Sequence, residues 1–166
     1  MMQSSPLNFR RIVIWIGRLV LAGFFIYAGY AKLTMGMHPR PPLGVALSFF
    51  AMQVDSYQML PLWGVKFVAN TLPFAEIALG LLLLIGWQLR IWATLVTLIV
   101  AGFFAAVFRA YATGMQINCG CFAKPEPLTG MTVLRDGALV ALALLMTIFA
   151  FQEARKPHPW TAPQNS

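Results

Sequence analysis

FVANTLPFAEIALGLLLLIGW (residues 67–87), QLR (88–90) and IWATLVTLIVAGFFAAVFRAYA (91–112) are two long apolar runs with three residues between them. Each run is long enough to cross a bilayer, which takes ~20 apolar residues at 1.5 Å of rise apiece. In hydrocarbon the backbone must satisfy its own hydrogen bonds, so both runs are expected to be helices. So short a connection forces the second helix to return antiparallel beside the first. A transmembrane helical hairpin therefore stands at the centre of the chain.

Reading outward, a third apolar run covers 12–33, behind Arg10-Arg11, and a fourth covers 132–151. Gly29-Tyr30-Ala31 would pass as a signal-peptide cleavage site. The run is long for a signal sequence, however, and Arg18 interrupts it, so an uncleaved first span is expected. Gly17, Gly23 and Gly29 recur every six residues, a spacing that places them on different helix faces. Three prolines mark the breaker between Thr34 and Pro42. Between 43 and 60, Leu43, Leu47, Phe50, Val54 and Tyr57 keep helical spacing, while Ser48, Gln53, Asp55, Ser56 and Gln58 interrupt the apolar character. That pattern predicts an amphipathic helix at the membrane interface, ended by Pro61. A polar loop with Pro125, Pro127 and Gly130 fills 113–131, and a polar tail follows Glu153.

The expected fold class is all-α integral membrane: one domain over 1–166, a four-transmembrane-helix bundle with an interfacial helix between spans 1 and 2. Composition agrees. The chain is 59% hydrophobic and 10% charged, and its mean hydropathy is +0.71; soluble domains carry about 25% charged residues. The net charge of +7 does not point to nucleic acid, because the cations flank apolar runs instead of clustering with aromatics. The bilayer is the expected partner. Trp15, Trp63, Trp87, Trp92 and Tyr111 near span ends suit its interfaces.

Four spans put both termini on one side. Arg10, Arg11, Arg90, Arg155 and Lys156 fall there, against Lys32, Arg40, Lys66, Arg109, Lys124 and Arg135 opposite. The raw count does not decide orientation. The weight of the first span and its leading Arg10-Arg11 puts the termini in the cytoplasm and the 113–131 loop on the outer face.

That loop holds the chain's only two cysteines, Cys119 and Cys121, around Gly120. Two thiols fall short of a zinc ligand set. Their Cα atoms are at most ~7 Å apart in extended chain, so a disulfide is within reach. The ring it closes is small and strained, which makes it exchange-competent, and Gly120 tolerates a tight backbone. Arg109, Lys124 and Arg135 are near enough in sequence to favour a thiolate. A redox pair and a pair that merely pins the loop are both consistent with these residues. Glu76, inside a span, calls for a partner. It is either one half of an interhelical ion pair with Lys32 or Arg109, or a group that handles protons for thiol chemistry or meets a quinone-like acceptor. Asp136 near a helix start suits the dipole, and Arg135 can reach headgroups. Met35, Met37 and His38 form a weaker set whose soft sulfurs, with the cysteines, would suit Cu(I). No cofactor motif is present.

Arg18 with Gly29-x-x-Lys32-Leu33 resembles the first-helix signature of DoxX-type membrane proteins. Tyr57-Gln58-Met59-Leu60-Pro61, Leu72-Pro73-x-x-Glu76 with Gly80, Cys119-Gly120-Cys121-Phe122 and Leu134-Arg135-Asp136, in that order, resemble the MauE branch, a group of methylamine-utilisation membrane proteins. The likeness runs from about Arg18 to Leu145. Ala123 departs from it, standing where the family motif runs on to a glycine. The resemblance implies a four-span protein of the bacterial inner membrane with its cysteine loop in the periplasm. Such a protein would be a thiol–disulfide oxidoreductase that assists disulfide formation or maturation of an extracytoplasmic client, beside a thioredoxin-like partner. Cys119 and Cys121 would be its redox pair, and Glu76, Lys32 and Arg135 supporting polar residues. With no second cysteine pair, a membrane quinone or another protein must take the electrons. The rival functions are a non-catalytic membrane subunit that anchors a redox assembly and, behind it, copper handling.

Overall fold

The hairpin at the centre of the chain closes on a left-handed turn. A computed structural model of the protein describes residues 6–35, 39–117 and 127–154. Its helices are α1 (Pro6–Thr34), α2 (Leu43–Ser56), α3 (Leu62–Ile85), α4 (Leu89–Ala112) and α5 (Gly130–Ala154). Gly86 caps α3 at φ +76°, its N–H donating to the Leu82 carbonyl, and Gln88 takes φ +44° before α4 begins. The connection is thus Gly86-Trp87-Gln88, two residues earlier than the expected QLR, and Arg90 lies in the first turn of α4.

Four of the helices are long and apolar enough to span a membrane: α1 from Phe9, α3, α4 and α5. α1 and α5 extend past their apolar runs at both ends, and α3 and α4 at their N-terminal ends, because a helix continues through the headgroup zone where only hydropathy changes. Pro61 is reassigned. α2 ends at Ser56, and Pro61 is the N-cap of α3. Proline suits a helix start, where its missing N–H has no partner to lose. α3 begins at Leu62, which puts Glu76 ~21 Å along it at 1.5 Å per residue instead of the ~14 Å expected from Phe67.

α1 packs against α3 and α5, and α5 against α4, whereas α3 and α4 meet only sparsely beyond their shared core. Leu21, Ala22 and Phe25 of α1, Leu79 and Leu83 of α3, Ala93, Val96 and Val100 of α4, and Ala143 and Met146 of α5 form that core. Small residues let the helices approach. Gly17 faces Met146 of α5, Gly29 faces Pro73 and Ile77 of α3, and a Cβ on Gly23 would meet nothing. The six-residue glycine spacing therefore serves different faces. Gly80 answers from α3, where a Cβ would lie 2.9 Å from the Ala22 carbonyl oxygen. Thr97 and Thr147 join α4 to α5 by a hydroxyl hydrogen bond of 2.9 Å. No more than 33% of the central apolar stretch of any span is buried within the protein. The exposed remainder includes Leu19, Leu81, Leu98, Phe108 and Ile148, a surface suited to lipid.

These contacts make neighbouring spans antiparallel. The C-terminal ends of α1 and α4 and the N-terminal ends of α3 and α5 therefore share one end of the bundle. α2 sits there, against α1 and α3. It buries Ala46 and Phe50 and exposes Val45, Phe49 and Met52. Its polar Gln53, Asp55 and Ser56 gather in the last turn.

Candidate functional site

At that end Lys32 and Glu76 form a buried ion pair. Lys32, in the last turn of α1, donates from Nζ to Glu76 Oε1 at 2.8 Å and to Oε2 at 2.7 Å. Both residues are nearly sealed from solvent, at 6% and 4% exposed. The Phe50 ring of α2 covers the ammonium, its centroid 5.4 Å away, a favourable cation–π placement. Gly29, one helical turn before Lys32, brings the backbones close enough for this contact. A Cβ there would stand 2.6 Å from the Pro73 carbonyl oxygen and 3.3 Å from Glu76 Cβ. Of the two partners the sequence allowed for Glu76, the fold selects Lys32. Arg109 is exposed near the end of α4.

Asp136 comes to the same place from α5. It lies in the second turn of that helix, 6% exposed, facing inward. Arg135 donates from Nε to Asp136 Oδ1 at 3.1 Å. Asp136, expected near a helix start, is also part of the interior.

Between these charges and the core lies a cavity of about 400 Å³. Phe24, Phe25, Ala28 and Lys32 of α1 form one wall, and Val68, Leu72 and Glu76 of α3 another. Leu98, Gly102, Phe103 and Phe104 of α4, with Asp136 and Leu139 of α5, complete the sides. Phe50, Gln53 and Val54 of α2 roof it, with Tyr57, Met59 and Leu60 of the following turn. It lies where α3 and α4 part company after their junction. The sequence carried no sign of it, because it is a product of helix divergence. Gln53 was the readable hint, a polar group interrupting an otherwise apolar helix.

Arg18 is the other residue whose role emerges here. It donates from Nε to the Leu83 carbonyl at 3.0 Å and from Nη2 to Leu84 at 2.8 Å, with its guanidinium 4.7 Å from the Trp15 ring centroid. The carbonyls ending α3 have no helical partner, and Arg18 supplies one from α1. An arginine inside an apolar run was itself a signal that such a partner exists.

Cys119 and Cys121 lie outside the described residues, as do Met37 and His38. Met35 follows α1 at φ +53°. The stems of the cysteine loop are described. The Leu128 N–H donates to the Ile117 carbonyl at 3.2 Å and ties the loop off at its base. That base is at the same end of the bundle as Lys32, Glu76 and Asp136.

Among known families, the model for methylamine utilisation protein MauE matches residues 10–149. No curated protein and no solved structure matches.

Proposed function

The chain belongs to the MauE family of methylamine utilisation proteins, and from that premise we propose that it is a membrane thiol–disulfide exchange protein. Cys119 and Cys121 trade a disulfide with an extracytoplasmic, thioredoxin-like partner or client. The observation that carries this reading is the Ile117–Leu128 hydrogen bond, which anchors the cysteine loop at the end of the bundle where the buried charges sit. The membrane is the bacterial inner membrane, with both termini cytoplasmic and the loop periplasmic.

Exchange proceeds by thiolate attack. A partner thiolate attacks one sulfur of the Cys119–Cys121 disulfide, forms a mixed disulfide and releases the other sulfur as a thiolate. The partner's second thiolate then displaces the remaining sulfur. The partner is oxidised by two electrons, and Cys119 and Cys121 are reduced by two and take up two protons. Arg109, exposed near the end of α4, adds positive charge to this end of the bundle, which favours the thiolates involved.

Trapping tests it. Cys121→Ser and Cys119→Ser are each expressed in the native membrane and the cells quenched with acid and a thiol blocker. One variant is expected to hold a periplasmic protein in a band that reductant dissolves. Two variants that trap nothing and restore client maturation fully would make the protein a non-catalytic anchor.

A further inference from the structure

We propose that the cavity between α3 and α4 is a binding site for a lipid-soluble quinone, held by its ring beside Lys32 and Glu76 with its isoprenoid chain leaving between the two helices. This rests on the exchange reading for its purpose, since a reduced Cys119–Cys121 pair needs an electron acceptor. It rests on the cavity for its geometry.

Three observations select the occupant. The first is where the mouth opens. Leu98 is 64% exposed, Met59 47% and Leu60 44%, and all three also line the cavity. Apolar groups of α4 and of the turn before α3 therefore rim the opening, and a hydrocarbon chain can leave past Leu98, on the lateral face of α4, into the bilayer. The second is the shape of the interior. Phe24, Phe25, Phe50, Phe103 and Phe104 surround a space of about 400 Å³, within the usual range for a ligand pocket, and aromatic walls accept a flat ring by stacking or edge contact. The third is charge. Lys32 and Arg135 balance Glu76 and Asp136 at the inner end. An anionic headgroup would face two carboxylates, and a cationic one would face Lys32. An uncharged ring whose carbonyl accepts from the Lys32 ammonium fits, and its reduced form can donate to the carboxylates. In the redox step the Cys119 and Cys121 thiols lose two electrons and two protons to form their disulfide. The quinone gains both and becomes the quinol.

Gly102 supplies the test. It lines the cavity, and a Cβ built on it meets nothing within 4 Å. A side chain at 102 therefore has open space at its root on the cavity wall, and Gly102→Phe sets a ring there. Gly23→Phe is the matched control, on an open face of α1 away from the cavity. The full chain, purified in lipid nanodiscs, is titrated with decylubiquinone, followed by native mass spectrometry and by the shift in thermal unfolding. The wild type and Gly23→Phe are expected to bind and be stabilised. Gly102→Phe is expected to bind about tenfold or more weakly, the scale of ~1.4 kcal/mol, while unfolding no earlier than the wild type without ligand. Equal binding to Gly102→Phe and wild type, or no binding to either, overturns the proposal. So does displacement of decylubiquinone by phosphatidylglycerol at equal mole fraction, which would make the cavity a general lipid crevice. The Cys119→Ser/Cys121→Ser double variant separates the two readings. It retains quinone binding if the site is real, whether or not exchange occurs. Trapped mixed disulfides without quinone binding would remove this inference alone.

Discussion

Gly29 of α1 lies directly against the carbonyl of Pro73 in α3, so close that a Cβ would come within 2.6 Å of the oxygen. The contact sets the close spacing across which Lys32, one turn further along α1, reaches Glu76. Gly29→Ala must push α1 and α3 apart, and overpacking of this kind costs ~1–3 kcal/mol. Gly23→Ala meets no neighbour and is expected to be neutral, or stabilising by about 0.5–1 kcal/mol through helix propensity. Thermal unfolding of the two variants in the same detergent checks the contrast.

The Lys32–Glu76 pair is expected to behave asymmetrically. Removing one partner leaves a buried charge uncompensated, at a cost of about 3–5 kcal/mol. Glu76→Ala and Lys32→Ala should each unfold markedly earlier. Replacing both with methionine removes the charges together and should recover most of the loss, because a buried pair recovers little beyond its own desolvation. A double-mutant cycle on unfolding midpoints measures this, and additive losses would refute it.

Arg18 is expected to hold the far end of the same helix pair. Its two hydrogen bonds reach the Leu83 and Leu84 carbonyls, and bonds from a charged donor are worth about 1.5–3 kcal/mol. Arg18→Leu should loosen the α1–α3 contact by that order. Arg18→Lys should recover only part, because a single ammonium cannot span two carbonyls as the planar guanidinium does. Hydrogen exchange at Gly86, whose N–H caps α3, should accelerate in both, more in Arg18→Leu.

Orientation is checked by a membrane-impermeant maleimide on intact spheroplasts. Reduced Cys119 or Cys121 should label without permeabilisation. Labelling only after permeabilisation would place the loop in the cytoplasm.

The four spans and the helix between the first two were legible because hydrocarbon admits few solutions: a run of ~20 apolar residues becomes a helix. Their ends were not, since α3 runs five residues before Phe67 through Pro61-capped sequence that hydropathy alone reads as a break. Proline marks both a stop and a start, and only the cap geometry of Pro61 separates them. Glu76 announced itself by being charged inside a span, but choosing between Lys32 and Arg109 required knowing which helices touch. Arg135 and Asp136 were visible as charges near a helix start; that Asp136 turns inward depends on the rotation of α5. The cavity is a property of how α3 and α4 splay, and no local pattern encodes it.

The apolar rim of the cavity at Leu98, Met59 and Leu60 decides how anything arrives. A molecule reaching it must first dissolve in the acyl chains, so occupancy follows the mole fraction of that molecule in the lipid and not its concentration in water. Diluting the protein into more bilayer at constant total ligand should empty the cavity, as adding solvent would for a soluble receptor. The membrane is thus at once the solvent that folds this chain and the reservoir from which its interior fills.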